Sequence, residues 1–401
     1  MDSDAVNFEL TSEQQAMRDA VRVTVERELQ PILSGHDEQD ILPKEQYLKL
    51  LGVLARHRLT APRLPVAAGG AGLTMLDYGI VFEQLPPQIG MNLLSHEGCV
   101  ARIYMECSAS QKARLLPDLI AARKIGCTGS TEPDTGSDPR GVKTRLVREG
   151  GALRLYGRKM WITNASVCDV MIVTCLDART DKRNGDVIKV LVEREKSPFE
   201  SREIKTIGLQ QGYLGEAVFD GCVVPEDNLI ESKQGGTTIL KQTWNVNRPL
   251  VGLQAVYLAQ EAFDIALEYS KLRKAFGKVI AGHQLIQKNL SDMATAIQAS
   301  RLLCYSALAQ VDRGAPAEGA SAMAKRFAQN SCEKVVWEAM NILGALGLSS
   351  EARLERMYRD ARMLSIPDGT NELLALIHAR ELTGVAAFRD ARPSQSAATD
   401  H

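Results

Sequence analysis

The sequence predicts an α+β protein in three parts: an N-terminal α-helical domain, a middle antiparallel β domain and a C-terminal four-helix bundle. Three observations predict this order. Apolar residues recur at helical spacing before residue 126, short β-branched runs fill residues 126–237, and helical spacing returns from residue 238. We therefore expect domains at 1–125, 126–237 and 238–389, followed by a polar, disordered tail at 390–401.

The N-terminal part begins with a helix-start pattern. Thr11 precedes Gln14 by three residues, which is the spacing of a capping box. Apolar residues then recur at every fourth position on one helix face: Met17, Val21, Val25 and Leu29. Residues 48–59 and 111–122 show similar spacing, and residues 62–72 form a loop rich in Pro, Ala and Gly.

The middle part consists of short β-branched runs separated by turn residues. The runs are 153–157, 170–175, 187–192 and 217–220, and the clearest turns are 184–186 and 225–228. This pattern is typical of antiparallel strands. Strands and helices do not alternate, and no Gly-x-Gly-x-x-Gly follows a first strand, so a Rossmann fold is not expected.

The C-terminal part contains four long amphipathic segments with short connections, which predict an antiparallel bundle. They are residues 238–271, 284–313, 317–343 and 373–388. A Gly-x-x-Gly pair, Gly344 and Gly347, ends the third segment. Between the last two segments, a charged run at 355–360 precedes the turn 367–370, in which Pro, Asp and Gly each favour a tight loop.

Composition and charge argue against nucleic-acid binding, membrane insertion, secretion and metal binding. The net charge of -1 leaves no electrostatic footprint for nucleic acid or an anionic membrane surface. No apolar run approaches the roughly 18 residues of a membrane span, and the acidic N-terminus lacks the features of a signal peptide. The eight cysteines show no metal-ligand spacing, so we expect reduced, buried thiols in a cytoplasmic protein without a metal site.

Two segments of the middle part have residue types suited to a heterocyclic ligand. Residues 131–138 are rich in Thr, Ser and Gly, which offer neutral hydrogen-bond partners and close backbone approach. The same composition is common in surface turns. Residues 159–165 contain Trp161, which alone would be read as a core aromatic at a strand.

Two further segments lie in the C-terminal part. Residues 247–249, 273–277 and 283–284 combine arginines with Phe276, Gly277 and His283. Guanidinium groups suit phosphate oxygens, and the same residues fit a helix C-terminus capped by Gly277. Residues 341–347, NILGALG, form the remaining segment.

In this order and spacing, the segments resemble the motifs of the acyl-CoA dehydrogenases over nearly the whole chain. The family's T-E-P-x-x-G-S-D matches residues 131–138, and K-x-W-I-T-N-[GA] matches 159–165. Its x-R-P, R-x-x-F-G and H-Q motifs match 247–249, 273–277 and 283–284. Two departures are mild: Asn341 and Ala345 replace the Gln and Gly of Q-I-L-G-G-x-G.

The resemblance implies FAD as cofactor. The residues implied to contact it are Thr131, Ser137, Trp161, Ile162, Thr163, Arg273, Phe276, His283, Gln284, Asn341, Gly344, Gly369, Thr370 and Asn371. In the family the Trp packs on the flavin ring. The Arg-Phe-Gly and His-Gln motifs serve the diphosphate and adenine of a neighbouring subunit's FAD. A homo-oligomer, dimer or tetramer, is therefore implied.

The resemblance places the catalytic carboxylate on Asp368. It would remove the α-proton of an acyl thioester while FAD accepts the β-hydrogen as hydride. The family usually has Glu in a Y-E-G-T loop, and Asp is shorter by one methylene, roughly 1.5 Å. Three explanations are open: a closer loop stiffened by Pro367, a differently placed substrate, or a different reaction. Some relatives carry the base at the position of Asn247, which cannot act as one.

Arg248 is implied to organise the base loop and to act with Asp368. The implied substrate-side positions are Ser137, Asn245, Arg248, Gly369 and Arg380. Asn245 stands where the family commonly has Asp, which would alter recognition of the pantetheine arm. His96 and Glu97 either face the acyl pocket or are satisfied within their helix.

The implied function is α,β-dehydrogenation of a short, branched or polar acyl-CoA, with an electron-transfer flavoprotein as electron acceptor. Two alternatives are open. The substrate could be a carrier-protein thioester in a biosynthetic pathway, because Pro367, Asp368 and Asn245 all depart from the common pattern. The chain could also be a flavin-binding paralogue without dehydrogenase activity. A flavin monooxygenase is disfavoured because the R-D-A-R and D-G-T segments are dehydrogenase-like.

Overall fold

The computed structural model describes residues 9–138, 141–179, 186–230 and 236–387, and these form a helical part, a β-sheet and a second helical part in the predicted order. The predicted tail at 390–401 and the first two residues of the predicted turn at 184–186 lie outside the described residues. The domain limits near 125 and 237 stay a prediction.

The N-terminal part consists of six α-helices in the described chain. They are α1 (Ser12–Thr24), α2 (Gln30–Ser34), α3 (Lys44–Arg56), α4 (Met75–Phe82), α5 (Pro87–Glu106) and α6 (Ala109–Ile120). The capping box is confirmed, because the Thr11 and Gln14 side chains each bond the other's backbone amide. The predicted stripe is buried at Val21, Val25 and Leu29, although a π-helical turn at Val25–Leu29 interrupts the regular helix.

His96 and Glu97 are buried and bond other groups of the protein. The Gly126 amide donates to His96 Nδ1 at 3.0 Å, and His96 Nε2 lies 3.0 Å from the Leu119 carbonyl oxygen. Burial lowers the pKa of His96 to about 4, which keeps the ring neutral. Glu97 Oε2 is paired with Arg63 at 2.6 Å, while its Oε1 is buried without a hydrogen-bond partner. His96 therefore serves the fold.

The middle part is one twisted sheet. Its strands are β1 (Gly126–Gly129), β2 (Arg145–Glu149), β3 (Ala152–Thr163), β4 (Val170–Asp177), β5 (Val187–Glu193), β6 (Glu200–Glu203), β7 (Leu214–Val224) and β8 (Leu229–Ile230). Their order is β6-β7-β3-β2-β4-β5-β8, with β1 beside β4. Most neighbours are antiparallel as predicted, but β4 pairs in parallel with β1 and β2. Long connections permit these parallel pairs, because the chain passes through other elements before β4.

The C-terminal part contains five α-helices in the described chain. They are α7 (Gly236–Leu272), α8 (Gln284–Asp312), α9 (Glu318–Leu343), α10 (Leu354–Leu364) and α11 (Asn371–Thr383). The charged run at 355–360 was not predicted as a helix but lies in α10. The predicted last helix begins two residues earlier and ends at Thr383, and residue 388 lies outside the described chain.

One long helix of the C-terminal part is unusually apolar. In the described residues, the helix Thr243–Leu272 is long and apolar enough to cross a membrane by length and composition. However, 61% of its most apolar window is buried inside the protein. It packs closely on its neighbours: a Cβ added at Gly252 would meet the Cys304 sulfur at 2.7 Å. A central core helix accounts for this composition.

Gly277 lies in a short hairpin and does not cap a helix. Strands β9 (Lys274–Ala275) and β10 (Lys278–Val279) pair across the two-residue turn Phe276–Gly277. Both turn residues have positive φ, 52° and 80°, as in a type I′ turn. The turn leaves Phe276 97% exposed.

The sheet and the last helices are joined beside the site. The Asp360 carboxylate accepts the Leu209 amide, and a Cβ added at Gly208 would meet the Arg359 backbone at 2.7 Å. This contact fixes α10 against the middle part. The chain then leaves α10 directly into the loop that carries Asp368.

Candidate active site

The site is built around the base loop, which we define as residues 365–370 between α10 and α11. Asp368 lies at its tip with φ of 54°, and Gly369 follows with φ of 110°. Thr370 caps α11, because its hydroxyl accepts the Leu373 amide at 3.4 Å. The helix start and the two positive φ values turn the chain sharply at Asp368, which is half-buried at the bend.

Two buried cations from neighbouring helices hold this loop. Arg248 on α7 donates its Nε to the Asp368 carbonyl oxygen at 3.1 Å. Lys325 on α9 donates its Nζ to the Gly369 carbonyl at 2.7 Å and reaches the Ser365 carbonyl at 3.4 Å. The Trp244 ring lies 5.7 Å from the Arg248 guanidinium carbon. Backbone carbonyls on both sides of the Asp368 side chain are therefore fixed.

The electrostatic setting favours a carboxylate that can take up a proton. Burial raises the pKa of Asp368, while Lys325, Arg248 and a hydrogen bond from Asn247 oppose the rise. Burial also lowers the pKa of Arg248 and lowers that of Lys325 to about 7. Arg248 and, when protonated, Lys325 thus act on one carboxyl group of raised pKa, an arrangement suited to general-base chemistry.

The other predicted substrate-side residues adjoin this cluster. Arg380 on α11 forms an ion pair with Glu318 at 2.8 Å, and both charges act on Arg248. The Asn245 carbonyl accepts the Ser321 hydroxyl at 2.6 Å. The side-chain Oδ1 atoms of Asn245 and Asn247 are buried without a protein donor. Such atoms require a donor from a ligand or from water.

The loop at residues 131–138 is held in place by the buried carboxylate of Glu132. The Glu132 carboxylate accepts Lys159 Nζ at 2.7 Å and the amides of Lys143 and Thr144 at 2.8 and 3.0 Å. The Thr131 carbonyl accepts the Met160 amide at 3.0 Å. Ser137 is exposed. The loop is therefore tied to β3 next to the predicted flavin contacts.

Trp161 projects from an irregularity in β3. The pairing of β3 with β7 shifts between Lys159 and Ile162, and Trp161 has φ of 60°. Bulges of this kind re-aim side chains beside active sites. Trp161 is 51% exposed, while Ile162 is buried and Thr163 is half-buried. The Trp161 ring is thus available at the surface for contact with a ligand. It is not the core residue that its type alone would indicate.

The remaining predicted cofactor residues lie outside the cluster around Asp368 and Arg248. Arg273 and Gln284 are exposed, and the Phe276 ring lies 6.0 Å from that of His283. Asn341 and Gly344 are exposed where α9 ends, and Gly344 caps the helix with φ of 60°. Asn371 donates to Asn330 at 2.9 Å, and its own buried Oδ1 lacks a protein donor.

The structure thus joins some predicted residues and separates others. Asp368, Gly369 and Arg248 form one contact cluster, with Arg380 beside it. The hairpin residues belong to an exposed surface of the same chain. Sequence reasoning missed Lys325, although it stands in a buried stripe of otherwise uncharged residues: Ser321, Ala322, Ala328, Gln329 and Cys332. A lone lysine in such a stripe was the available signal.

Models of three acyl-CoA dehydrogenase domains match the chain in series. The N-terminal domain matches residues 11–123, the middle domain 127–222 and the C-terminal domain 234–383. The chain belongs to the acyl-CoA dehydrogenase family. Like its relatives in this family, it is an FAD-dependent oxidoreductase acting on CH–CH groups.

Similarity to individual acyl-CoA dehydrogenases extends over almost the whole chain. An acyl-CoA dehydrogenase of Bacillus subtilis (strain 168) is 31% identical, over 94% of this chain and 99% of the relative. The structure of butyryl-CoA dehydrogenase from Megasphaera elsdenii matches with a TM-score of 0.86 and 30% identity, covering 94% and 100% of the two chains. A glutaryl-CoA dehydrogenase from Mycobacterium smegmatis in complex with FADH2 matches with a TM-score of 0.87 and 26% identity, covering 95% and 97%.

The residues of this chain fit FAD. The half-exposed Trp161 offers an apolar face to a flavin ring, and the loop at 131–138 offers hydroxyl groups and backbone beside it. Exposed Arg273 suits a diphosphate. The unpartnered Oδ1 of Asn371 can accept a hydrogen bond from a ligand.

Proposed function

We propose that this acyl-CoA dehydrogenase oxidises a short, branched or polar acyl thioester, with Asp368 as the base that removes the α-proton. The observation that carries the proposal is the clamped Asp368. Arg248 and Lys325 bind backbone carbonyls of its loop, and both cations oppose the rise in its pKa. When bound, FAD supplies the acceptor for the hydride that leaves the β-carbon.

The protein's part in the reaction is to hold and move one proton. The Asp368 carboxylate takes the α-proton, and its raised pKa makes it a stronger base than an exposed aspartate. Arg248 and Lys325 fix the loop so that the carboxylate keeps one direction. The Asp368 backbone amide would donate to the thioester carbonyl oxygen, where negative charge develops as the proton leaves.

The shorter side chain defines which acyl groups are suitable. An aspartate reaches less far than glutamate by roughly 1.5 Å, so the α-carbon must approach the loop more closely. A displacement of about 1 Å can change a rate on the order of a hundredfold. Small or polar acyl groups allow this approach, and the unpartnered Oδ1 of Asn247 beside Asp368 can accept a polar substituent's hydrogen.

The test is anaerobic bleaching of the bound flavin by a panel of acyl thioesters. The panel compares straight, branched and polar acyl groups of increasing length on CoA. We expect rapid bleaching by short or polar members and slow bleaching by long straight chains. Asp368→Glu should shift this preference, because its carboxylate reaches further. A yellow protein that no thioester bleaches would instead support the non-catalytic paralogue.

A carrier-protein thioester is the second candidate substrate. It is favoured by Asn245, whose buried Oδ1 lacks a protein donor where the family commonly has a carboxylate. The same acyl group presented on CoA and on a phosphopantetheinyl carrier protein separates the candidates. Faster bleaching by the carrier form at equal concentration would reject CoA as the physiological carrier.

We also infer that a second copy of the chain completes the FAD site, in a dimer or tetramer. The support is the hairpin surface, where Phe276 is 97% exposed and Arg273 is exposed beside it. Aromatic residues are enriched in the cores of protein–protein interfaces. Light scattering should give a mass two or four times the 43.9 kDa of one chain. Phe276→Asp should lower both the mass and the FAD content, whereas a monomer with full FAD content would contradict the inference.

The proposed electron acceptor is an electron-transfer flavoprotein, in the cytoplasm. Reduced protein should be reoxidised by such a flavoprotein much faster than by dissolved oxygen. Rapid oxygen consumption with peroxide release would instead identify an oxidase.

A further inference from the structure

Lys325 is a buried cation for which the reaction itself has no direct use. Among the described residues, two other lysines are comparably buried, and each has a carboxylate partner. Lys159 lies 2.7 Å from Glu132, and Lys189 lies 2.5 Å from Glu106. The Lys325 ammonium instead contacts two backbone carbonyls. Its setting is therefore different from that of a structural ion pair.

Those carbonyls belong to the base loop and flank Asp368. The Nζ–O distance is 2.7 Å to Gly369, which follows Asp368, and 3.4 Å to Ser365, which precedes it. Arg248 holds the intervening Asp368 carbonyl from another helix. Because the orientation of the neighbouring peptide groups fixes the Cα–Cβ direction, these contacts set the direction in which the Asp368 side chain leaves the backbone. They also hold Asp368 in a left-handed conformation that few non-glycine residues adopt.

The charges around Lys325 are few. Asp368 on the loop raises its pKa and Arg248 on α7 lowers it, while burial dominates and lowers it to about 7. On its own helix, the buried neighbours Ser321, Ala322, Ala328 and Gln329 carry no charge. Glu318 and Arg380 act on Arg248 and so on this group indirectly. Asp368 is thus the carboxyl to which the ammonium is coupled.

Packing does not explain a lysine at this position. Burying an ammonium without a paired carboxylate is costly, and an apolar side chain of similar length would avoid that cost. A function that uses the charge does explain it. We propose that Lys325 is a positioning residue for the base: its ammonium fixes the base loop and holds the Asp368 carboxyl in its ionised, reactive form. The inference rests on the proposed role of Asp368.

The first test is the pH dependence of flavin reduction in the FAD-loaded protein. Lys325→Met removes both charge and donor, so the Asp368 pKa should rise by about one unit or more, and the acid limb should move to higher pH by that amount. The rate at pH 7 should fall at least about tenfold, as a displaced base requires. Lys325→Gln keeps a donor for the carbonyls without the charge. It should therefore recover the rate above the acid limb, while the limb stays displaced.

The matched control is Lys189→Met. It also removes a buried ammonium, but one that serves Glu106 far along the chain from the base loop. We expect lower thermal stability and an unchanged pH profile. An acid limb that stays in place in Lys325→Met, or moves equally in Lys189→Met, would overturn the proposal.

The second test needs no catalytic activity. Urea unfolding of FAD-loaded wild type, Lys325→Met, Asp368→Asn and the double variant forms a double-mutant cycle at pH 7. We expect the two substitutions to be coupled by at least about fivefold in the folding equilibrium constant, because each charge shifts the pKa of the other group. Additive effects would reject the coupling. If no thioester reduces the wild-type flavin, the proposed function fails, and this cycle still decides the role of Lys325.

Discussion

Removing Arg248 tests whether the base loop depends on its cations for catalysis. The Arg248 side chain is only 3% exposed, and its Nε donates to the Asp368 carbonyl at 3.1 Å. Arg248→Met keeps the length and apolar body of the side chain but removes this charged donor. The Asp368 carbonyl then loses its partner, and the carboxyl loses one of the two cations that oppose its rise in pKa.

The expected magnitude follows from the one bond that is lost. A hydrogen bond from a charged group contributes about 1.5–3 kcal/mol. If the whole amount is felt in the transition state, flavin reduction slows by about 10- to 150-fold, since each 1.36 kcal/mol is tenfold in rate. The acid limb should also move to higher pH. Stopped-flow bleaching under anaerobic conditions, at saturating thioester, measures both effects.

A second variant separates charge from geometry. Arg248→Lys restores the positive charge but not the planar fork, so we expect it to recover the acid limb and only part of the rate. FAD content must be equal in all samples. A change of less than threefold in Arg248→Met, with the acid limb in place, would refute the view that this arginine orients the base.

Three further variants test the base loop at Gly369, the loop at residues 131–138 through Glu132, and the predicted flavin contact of Trp161. Gly369→Ala should slow flavin reduction about tenfold or more, because φ of 110° strains an L-residue; rates at wild-type level would contradict this. Glu132→Gln should destabilise the protein at pH 7 by about 3 kcal/mol in urea unfolding, since Lys159 is left buried and unpaired. Although burial opposes it, hydrogen bonds from Lys159 and Thr144 hold the Glu132 pKa below its ordinary 4.5. Its stabilisation is therefore present above pH 4.5 and lost as pH falls through the lowered pKa; a pH-independent difference would contradict the assignment. Trp161→Ala should weaken FAD retention in dialysis, and unchanged retention would remove Trp161 from the flavin site.

Much of the architecture could be predicted because it is written in local periodicity. The capping box at Thr11 and Gln14 and the helix exit at Gly344 depend on neighbouring residues alone, and both were predicted. Helix α10 was not predicted, because the charged residues of its sequence hide its apolar periodicity. The helix does have a buried apolar stripe, formed by Leu354, Met357, Ala361 and Leu364. This stripe is narrow compared with the charged remainder of the helix surface.

Features set by distant partners were not predictable. The parallel pairing of β1 with β4 joins strands separated by a hairpin, and no local pattern specifies it. The irregularity that turns Trp161 outward depends on a register shift against β7. The hairpin at Phe276 and Gly277 was not predicted, and a helix cap was the alternative considered there, because glycine at positive φ serves both structures.

The residues of the candidate site also differ in whether the sequence could identify them. Motif resemblance identified Asp368 and Arg248, and the structure brings them into contact. It could not identify Lys325, because a lysine in a helical stripe does not reveal which loop crosses it in the fold. The contact of its ammonium with Gly369 and Ser365 exists only once α9 is packed under the base loop.

The central claim is that Asp368 removes the α-proton of an acyl thioester, and isotope exchange at that carbon tests it directly. Wild-type protein, FAD-loaded and anaerobic, is incubated in D2O with a thioester that bleaches it, and the recovered thioester is examined by mass spectrometry. We predict deuterium at the α-carbon with wild type and with Asp368→Glu, and at least a hundredfold slower incorporation with Asp368→Asn, as loss of a general base requires. Equal incorporation by wild type and Asp368→Asn would show that another group takes the proton.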